Sequence, residues 1–170
     1  PPGSALPTPC PGGRFGTEAG RELVASCKLC AAGKYNNGVV PAASCSSCPL
    51  GFWQASPARS FCYFCLPGQY ADEEGLLACK SCARGQFAGT PAVQTRGPIT
   101  CAGCEAGRYA EQTGSTMCLN CPLGKFGPSS GLQICPQCPV GKLTDNEGST
   151  ACRTCTESGF APNDAQTTCI

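Results

Sequence analysis

Eight Cys-x-x-Cys pairs follow one another along this chain, with one cysteine before the first pair and one after the last. The pairs are Cys27/Cys30, Cys45/Cys48, Cys62/Cys65, Cys79/Cys82, Cys101/Cys104, Cys118/Cys121, Cys135/Cys138 and Cys152/Cys155; the singles are Cys10 and Cys169. Eighteen cysteines in 170 residues is the density of a disulfide scaffold, not of a chain that folds around an oily core. A high, even count implies an oxidising compartment, outside the cell or on its surface.

The ends of the pattern bear on connectivity. If each pair closed on itself, Cys10 and Cys169 would have to meet from opposite ends of the array. If the second cysteine of each pair bonds forward to the first of the next, all eighteen are used and every loop is local. The expected ladder is then Cys10–Cys27, Cys30–Cys45, Cys48–Cys62, Cys65–Cys79, Cys82–Cys101, Cys104–Cys118, Cys121–Cys135, Cys138–Cys152 and Cys155–Cys169. Four-thiolate zinc is the rival, because Cys-x-x-Cys pairs at similar spacing hold zinc in intracellular proteins. Zinc would orphan Cys10 and Cys169, the chain has no histidine, and the filler between pairs is of one kind throughout. No metal and no cofactor is expected.

A repeat runs through the gaps. Counting from each opening cysteine, glycine recurs three places on and an aromatic five places on: CPGGRF, CAAGKY, CPLGFW, CLPGQY, CARGQF, CEAGRY and CPLGKF. CPVGKL then puts Leu143 at the aromatic place, and CTESGF puts Ser158 at the glycine place. A second glycine falls four before the closing cysteine at Gly75, Gly114, Gly131 and Gly148. Glycine allows a tight bend, the aromatic is the one large apolar group available to cover each bridge, and turn residues such as Asn36, Asn37 and Gly38 reverse the chain. The pattern predicts short hairpins with strands of three or four residues, and no helix. One bridge and one aromatic cannot offset the ordering of a whole repeat, so repeats must stack on their neighbours. The expected fold is small and disulfide-rich: an elongated array of nine hairpin modules at 10–27, 30–45, 48–62, 65–79, 82–101, 104–118, 121–135, 138–152 and 155–169, after a proline-rich extended arm at 1–9.

The pattern Cys-x-x-Cys-Pro-x-Gly-x-(Phe/Tyr) with a Gly-x-x-x-Cys closure resembles the ephrin-receptor-like cysteine-rich repeat. CPLGKF from Cys121 to GLQIC at Cys135, and CPVGKL from Cys138 to GSTAC at Cys152, carry the likeness best. More loosely it is similar to the one-disulfide module that opens many tumour-necrosis-factor-receptor cysteine-rich domains. The resemblance implies an extracellular setting, nearest-neighbour bridges, an extended shape and no catalysis. The modules here are uniform, without the interleaved two-disulfide modules of the receptor type.

Charge is balanced, with twelve basic and eleven acidic residues, which argues against nucleic acid as a partner. No apolar stretch is long enough to span a bilayer. The array stops one residue after Cys169, which leads us to expect further repeats or a cut there. There is no Asn-x-Ser/Thr acceptor; Ser and Thr near proline, in the arm and in the Cys82–Cys101 loop, offer places for O-linked sugar. Arg14, Lys34, Arg108, Lys125 and Lys142 share the place before the aromatic, and are read as pointing to water; a basic stripe for a polyanionic glycan is the sharper alternative. Asp72, Glu73 and Glu74 suggest calcium only weakly, since such a site needs about six or more oxygens.

The aromatics are seven Phe, four Tyr and one Trp. Phe52, Phe61, Tyr63 and Phe64 are the four outside the repeat position, and they crowd around Trp53. This cluster is the candidate contact patch, because aromatics anchor partners; closer packing of adjacent repeats is its plain alternative. The longest loop, Cys82–Cys101, is either a lateral contact or a tolerated insertion. The sequence therefore predicts a non-enzymatic extracellular rod, a stalk or the repeating subunit of a surface fibre, that associates with itself. The runner-up is a ligand-binding or adhesion ectodomain that grips other extracellular proteins or glycans.

Overall fold

The computed structural model describes residues 10–16, 26–39, 43–90, 96–154 and 167–168. Eight bridges close eight successive loops: Cys10–Cys27, Cys30–Cys45, Cys48–Cys62, Cys65–Cys79, Cys82–Cys101, Cys104–Cys118, Cys121–Cys135 and Cys138–Cys152. Their Cα separations run from 5.6 to 5.9 Å, inside the ordinary range for a disulfide. Cys155–Cys169, the 1–9 arm and Phe160 lie outside the described residues.

Seven two-stranded antiparallel hairpins accompany these loops. β1 (Arg14–Phe15) pairs with β2 (Lys28–Leu29), β3 (Lys34–Tyr35) with β4 (Ser46–Ser47), and β5 (Phe52–Trp53) with β6 (Tyr63–Phe64). β7 (Gln69–Tyr70) pairs with β8 (Lys80–Ser81), β9 (Gln86–Phe87) with β10 (Ala102–Gly103), β11 (Arg108–Tyr109) with β12 (Leu119–Asn120), and β13 (Lys142–Leu143) with β14 (Arg153–Thr154). The seventh loop keeps a single bridge, Lys125 to Gln137. Among the described residues there is no α-helix. The result is the tandem hairpin array that the repeat predicts. Each strand is two residues long, shorter than expected, because the backbone groups on either side bond to other loops instead of extending the ladder.

By contacts the chain divides into two compact units, Pro1–Leu66 with Tyr70–Lys80 and Pro91–Ile99, and Pro67–Gln69 with Ser81–Thr90 and Thr100–Ile170. In the first, the Gly33 N–H donates to the Gln54 carbonyl (2.7 Å), the Gly51 N–H to Ala71 (2.9 Å) and the Gly75 N–H to Cys48 (2.8 Å). In the second, the Gly85 N–H donates to Ala110 (2.8 Å), the Gly107 N–H to Gly127 (2.9 Å) and the Gly148 N–H to Cys121 (2.8 Å). Successive loops are thus joined main chain to main chain, which satisfies backbone groups that such short strands leave over.

The recurring glycine three places after each opening cysteine does two things. It takes a left-handed φ, +77° at Gly33 and +82° at Gly107, which a side chain disfavours. At Gly13, Gly33, Gly51, Gly68, Gly85 and Gly107 it also receives a carbonyl from the loop two further on. A Cβ at Gly33 would overlap the Gly75 oxygen, one at Gly68 the Gly114 oxygen, and one at Gly107 the Gly148 oxygen. The two glycine classes of the repeat are therefore partners, and stacking reaches the second neighbour as well as the first.

The most buried places also differ from expectation. The repeat aromatics Phe15, Tyr35, Trp53, Tyr70, Phe87, Tyr109 and Phe126 are only half-buried; Leu143 alone of this position is fully enclosed. Besides Leu143 and the repeat glycines, the interior consists chiefly of cysteines and the residue just after the aromatic: Asn36, Gln54, Ala71, Ala88, Ala110, Gly127 and Thr144. The ring at the preceding place is larger, while this residue's main chain bonds to the loops on either side, as Gln54 does to Gly33 and Leu76.

Candidate functional site

The third loop gathers the aromatic cluster onto one hairpin. β5 and β6 pair Phe52 with Phe64 and Trp53 with Tyr63. Cross-strand partners share a face, so Trp53 and Tyr63 stand together on one side and Phe52 and Phe64 on the other. Phe61, two residues before Tyr63, joins the first side. The Trp53 and Tyr63 rings are 5.7 Å apart, and Phe61 meets Tyr63 edge to face at 5.0 Å; such pairs add roughly 0.5–1.5 kcal/mol beyond burial. The rings remain open to solvent: Phe61 is 48%, Tyr63 47% and Phe64 51% exposed. Phe52 and Trp53 are half-buried.

Two features hold this hairpin's tip. Gln54 is 2% exposed; its side-chain amide donates to the Phe61 carbonyl (3.0 Å) and its Oε1 accepts from the Ser56 N–H (3.1 Å). Its own main-chain N–H donates to Leu76 (3.0 Å) in the next loop. Gln54 thus fixes Phe61 from inside the array. Ala58 is the second feature: it has φ +57° at the place where Gly75, Gly114, Gly131 and Gly148 recur, and its N–H donates to the Cys30 carbonyl (2.8 Å). A non-glycine residue in this region carries backbone strain.

Gln54 escaped the sequence reading, and Asn36 was read there only as a turn residue. Asn36 is a buried strut as well as a turn residue. Its amide donates to the Arg14 carbonyl (2.6 Å) and its Oδ1 accepts from Gly38 (3.0 Å). Thr144 does the same in the eighth loop, donating to the Lys125 carbonyl (3.2 Å). The only signal was position, since a small or amide residue follows every aromatic of the described loops.

The charged candidates separate. Lys34, Arg108 and Lys142 are exposed, as expected, but Arg14 and Lys125 are half-buried. The Arg14 guanidinium donates back to the Cys27 carbonyl (3.3 Å). The acidic turn already has its cation, because the Lys80 ammonium lies 2.7 Å from both Asp72 and Glu73. Hydrogen bonding to Lys80 holds the Asp72 carboxyl below its usual range and pushes the Lys80 ammonium up. Asp145 and Arg153, at the same repeat places, pair at 2.6 Å, and Arg153 lowers the Asp145 carboxyl in the same way. In the long loop, residues 91–95 lie outside the described residues; its Pro98 carbonyl accepts from the Ala71 N–H (3.0 Å).

Residues 89–132 and 107–155 match the family model described as tyrosine-protein kinase ephrin type A/B receptor-like. This stretch is similar to ephrin-receptor-like cysteine-rich repeats. No curated protein matches the chain. Ephrin-receptor-like repeats rich in disulfides point to an extracellular domain of receptor type and are typically non-catalytic. Among the described residues no helix is long and apolar enough to cross a membrane.

Proposed function

We propose that the chain is a non-enzymatic structural segment, a disulfide-laddered stalk or the repeating subunit of a surface fibre that associates with copies of itself. The observation that supports this most is the jointing of loop to loop through main-chain bonds and glycine–carbonyl seats. That jointing repeats without depending on particular side chains, so one geometry can be carried along many modules. It leaves side chains free for lateral contact, and the exposed rings of the third hairpin, Phe61 and Tyr63 on one side and Phe64 on the other, supply such contacts. An asymmetric contact of this kind builds filaments when it does not close.

Negative-stain electron microscopy and sedimentation of the disulfide-intact chain over a concentration series test the reading. Fibres or concentration-dependent assemblies are expected; single particles at every concentration overturn self-association. The second reading, an adhesion or ligand-binding ectodomain that grips another extracellular protein, is favoured by the same exposed aromatics. It is the outcome if the chain stays monomeric yet the patch is needed to bind a partner.

A further inference from the structure

Six of the glycines that follow an opening cysteine are filled seats. At Gly13, Gly33, Gly51, Gly68, Gly85 and Gly107 a carbonyl oxygen from the turn of the loop two further on stands where a Cβ would begin. That oxygen meets the Cα–H which glycine has in place of a side chain, a weak contact that recurs between closely packed backbones. All six glycines are buried.

Gly141, in the eighth loop, has the same backbone and no occupant. Its φ is +86°, against +80° at Gly13 and +83° at Gly68. Among the described residues nothing lies within 4 Å of where its Cβ would stand, and it is the one glycine of this position that is not buried. The Val140 side chain beside it is 98% exposed, whereas Leu50, at the same place beside the filled Gly51, is 39% exposed. A lone exposed valine needs no explanation. Here it borders a shaped backbone seat, and the filled seats show what that shape accepts: a loop turn that enters carbonyl first and needs no particular side chain.

We infer that Gly141 and Val140 form an open joint that takes a loop turn from a second copy of this chain. Copies then join head to tail by the contact that already stacks the loops. The inference rests on the self-association reading and names a contact for it. The open seat continues the series of filled ones along the array, and the turn that fits it is an element this chain makes repeatedly. Within these 170 residues the first two loops have no glycine seat two loops before them, so theirs are the turns left to enter a seat on another copy. A contact between unlike surfaces of two copies runs on as a filament when it does not close.

The test titrates the full, oxidised, isotopically labelled chain with its own unlabelled copy. Concentration-dependent shifts or broadening of the Gly141 and Val140 amides are expected, with none at Gly51 and Gly68, whose seats are filled. Gly141→Ala puts a methyl group where the carbonyl must enter, and Val140→Asp puts a charge beside it. Each weakens association about tenfold or more. Gly131→Ala has a left-handed φ and open space around it, so it carries the backbone strain alone and leaves association unchanged. Phe61→Ser with Phe64→Ser keeps the Gly141 response. Association that leaves Gly141 and Val140 unmoved, or that Gly141→Ala does not weaken, overturns the inference while the stalk reading stands. A chain that is monomeric at every concentration overturns both.

Discussion

The carbonyl oxygen of Gly75 occupies the space in which a side chain on Gly33 would begin. Two sequence signals that look independent, the glycine three places after an opening cysteine and the glycine four places before a closing one, are the two halves of a single joint that recurs at Gly33/Gly75, Gly68/Gly114, Gly85/Gly131 and Gly107/Gly148.

Three glycine substitutions separate strain from overlap. Gly33→Ala meets both a left-handed φ and the Gly75 carbonyl, and is expected to lose about 3 kcal/mol or more. Gly131→Ala has the same φ class with nothing within 4 Å, and is expected to lose roughly 1–2 kcal/mol. Gly103→Ala has neither handicap and should change stability by no more than about 0.5 kcal/mol. Guanidinium unfolding with bridges intact ranks them; equal losses at all three would refute the joint.

Ala58 breaks the glycine rule of its position, with φ +57°. Replacing it by glycine relieves the backbone while loosening the unfolded chain, for a net gain of about 0.5–1 kcal/mol. The measurement is the unfolding midpoint of Ala58→Gly against the parent. A loss would mean that the Ala58 methyl packs usefully and the strain is negligible.

Asp72 and Asp145 both have folded carboxyls held below their ordinary value of 3.8. A depressed acid contributes stability that is fully present above its unfolded pKa and is lost as pH falls through the folded one. The melting temperature should be flat in neutral buffer and drop below about pH 4. The drop should shrink in Asp72→Asn/Asp145→Asn and at high salt, because both pairs are exposed and screened. An unchanged acid limb in the double variant would show that these pairs contribute nothing.

The aromatic hairpin gives the test of self-association. Phe61→Ser with Phe64→Ser alters rings that are about half exposed, so folding should be little affected while assembly weakens. Sedimentation reads assembly and calorimetry reads folding. A lowered melting temperature with unchanged assembly would assign the cluster to packing between repeats.

Much of this architecture was legible because it is written in residues with few alternatives. Cysteine spacing specifies closed local loops, and Gly33, Gly51 and Gly68 stand where only glycine tolerates the backbone. The cluster around Trp53 was visible as a crowding of rings, and pairing of Phe52 with Phe64 brings it to one hairpin. The buried place after the aromatic was not legible. Asn36, Gln54, Ala71 and Thr144 share neither chemistry nor size; what they share is a place between loops and a main chain that bonds outward. The half-exposed aromatics follow from the same cause, since the interior is already filled by sulfur and by these residues. The pairing of Lys80 with Asp72 was missed because its two members sit on different sides of a closing cysteine.

The bridges also decide how the molecule answers a pull. Force entering at Cys10 crosses sulfur to Cys27, passes two residues to Cys30, and crosses sulfur again to Cys45. Each loop, from 14 to 19 residues around, is bypassed and cannot pay out slack even if its hydrogen bonds fail. The oxidised chain should be nearly inextensible, and a reducing agent would release that stored contour length one rung at a time.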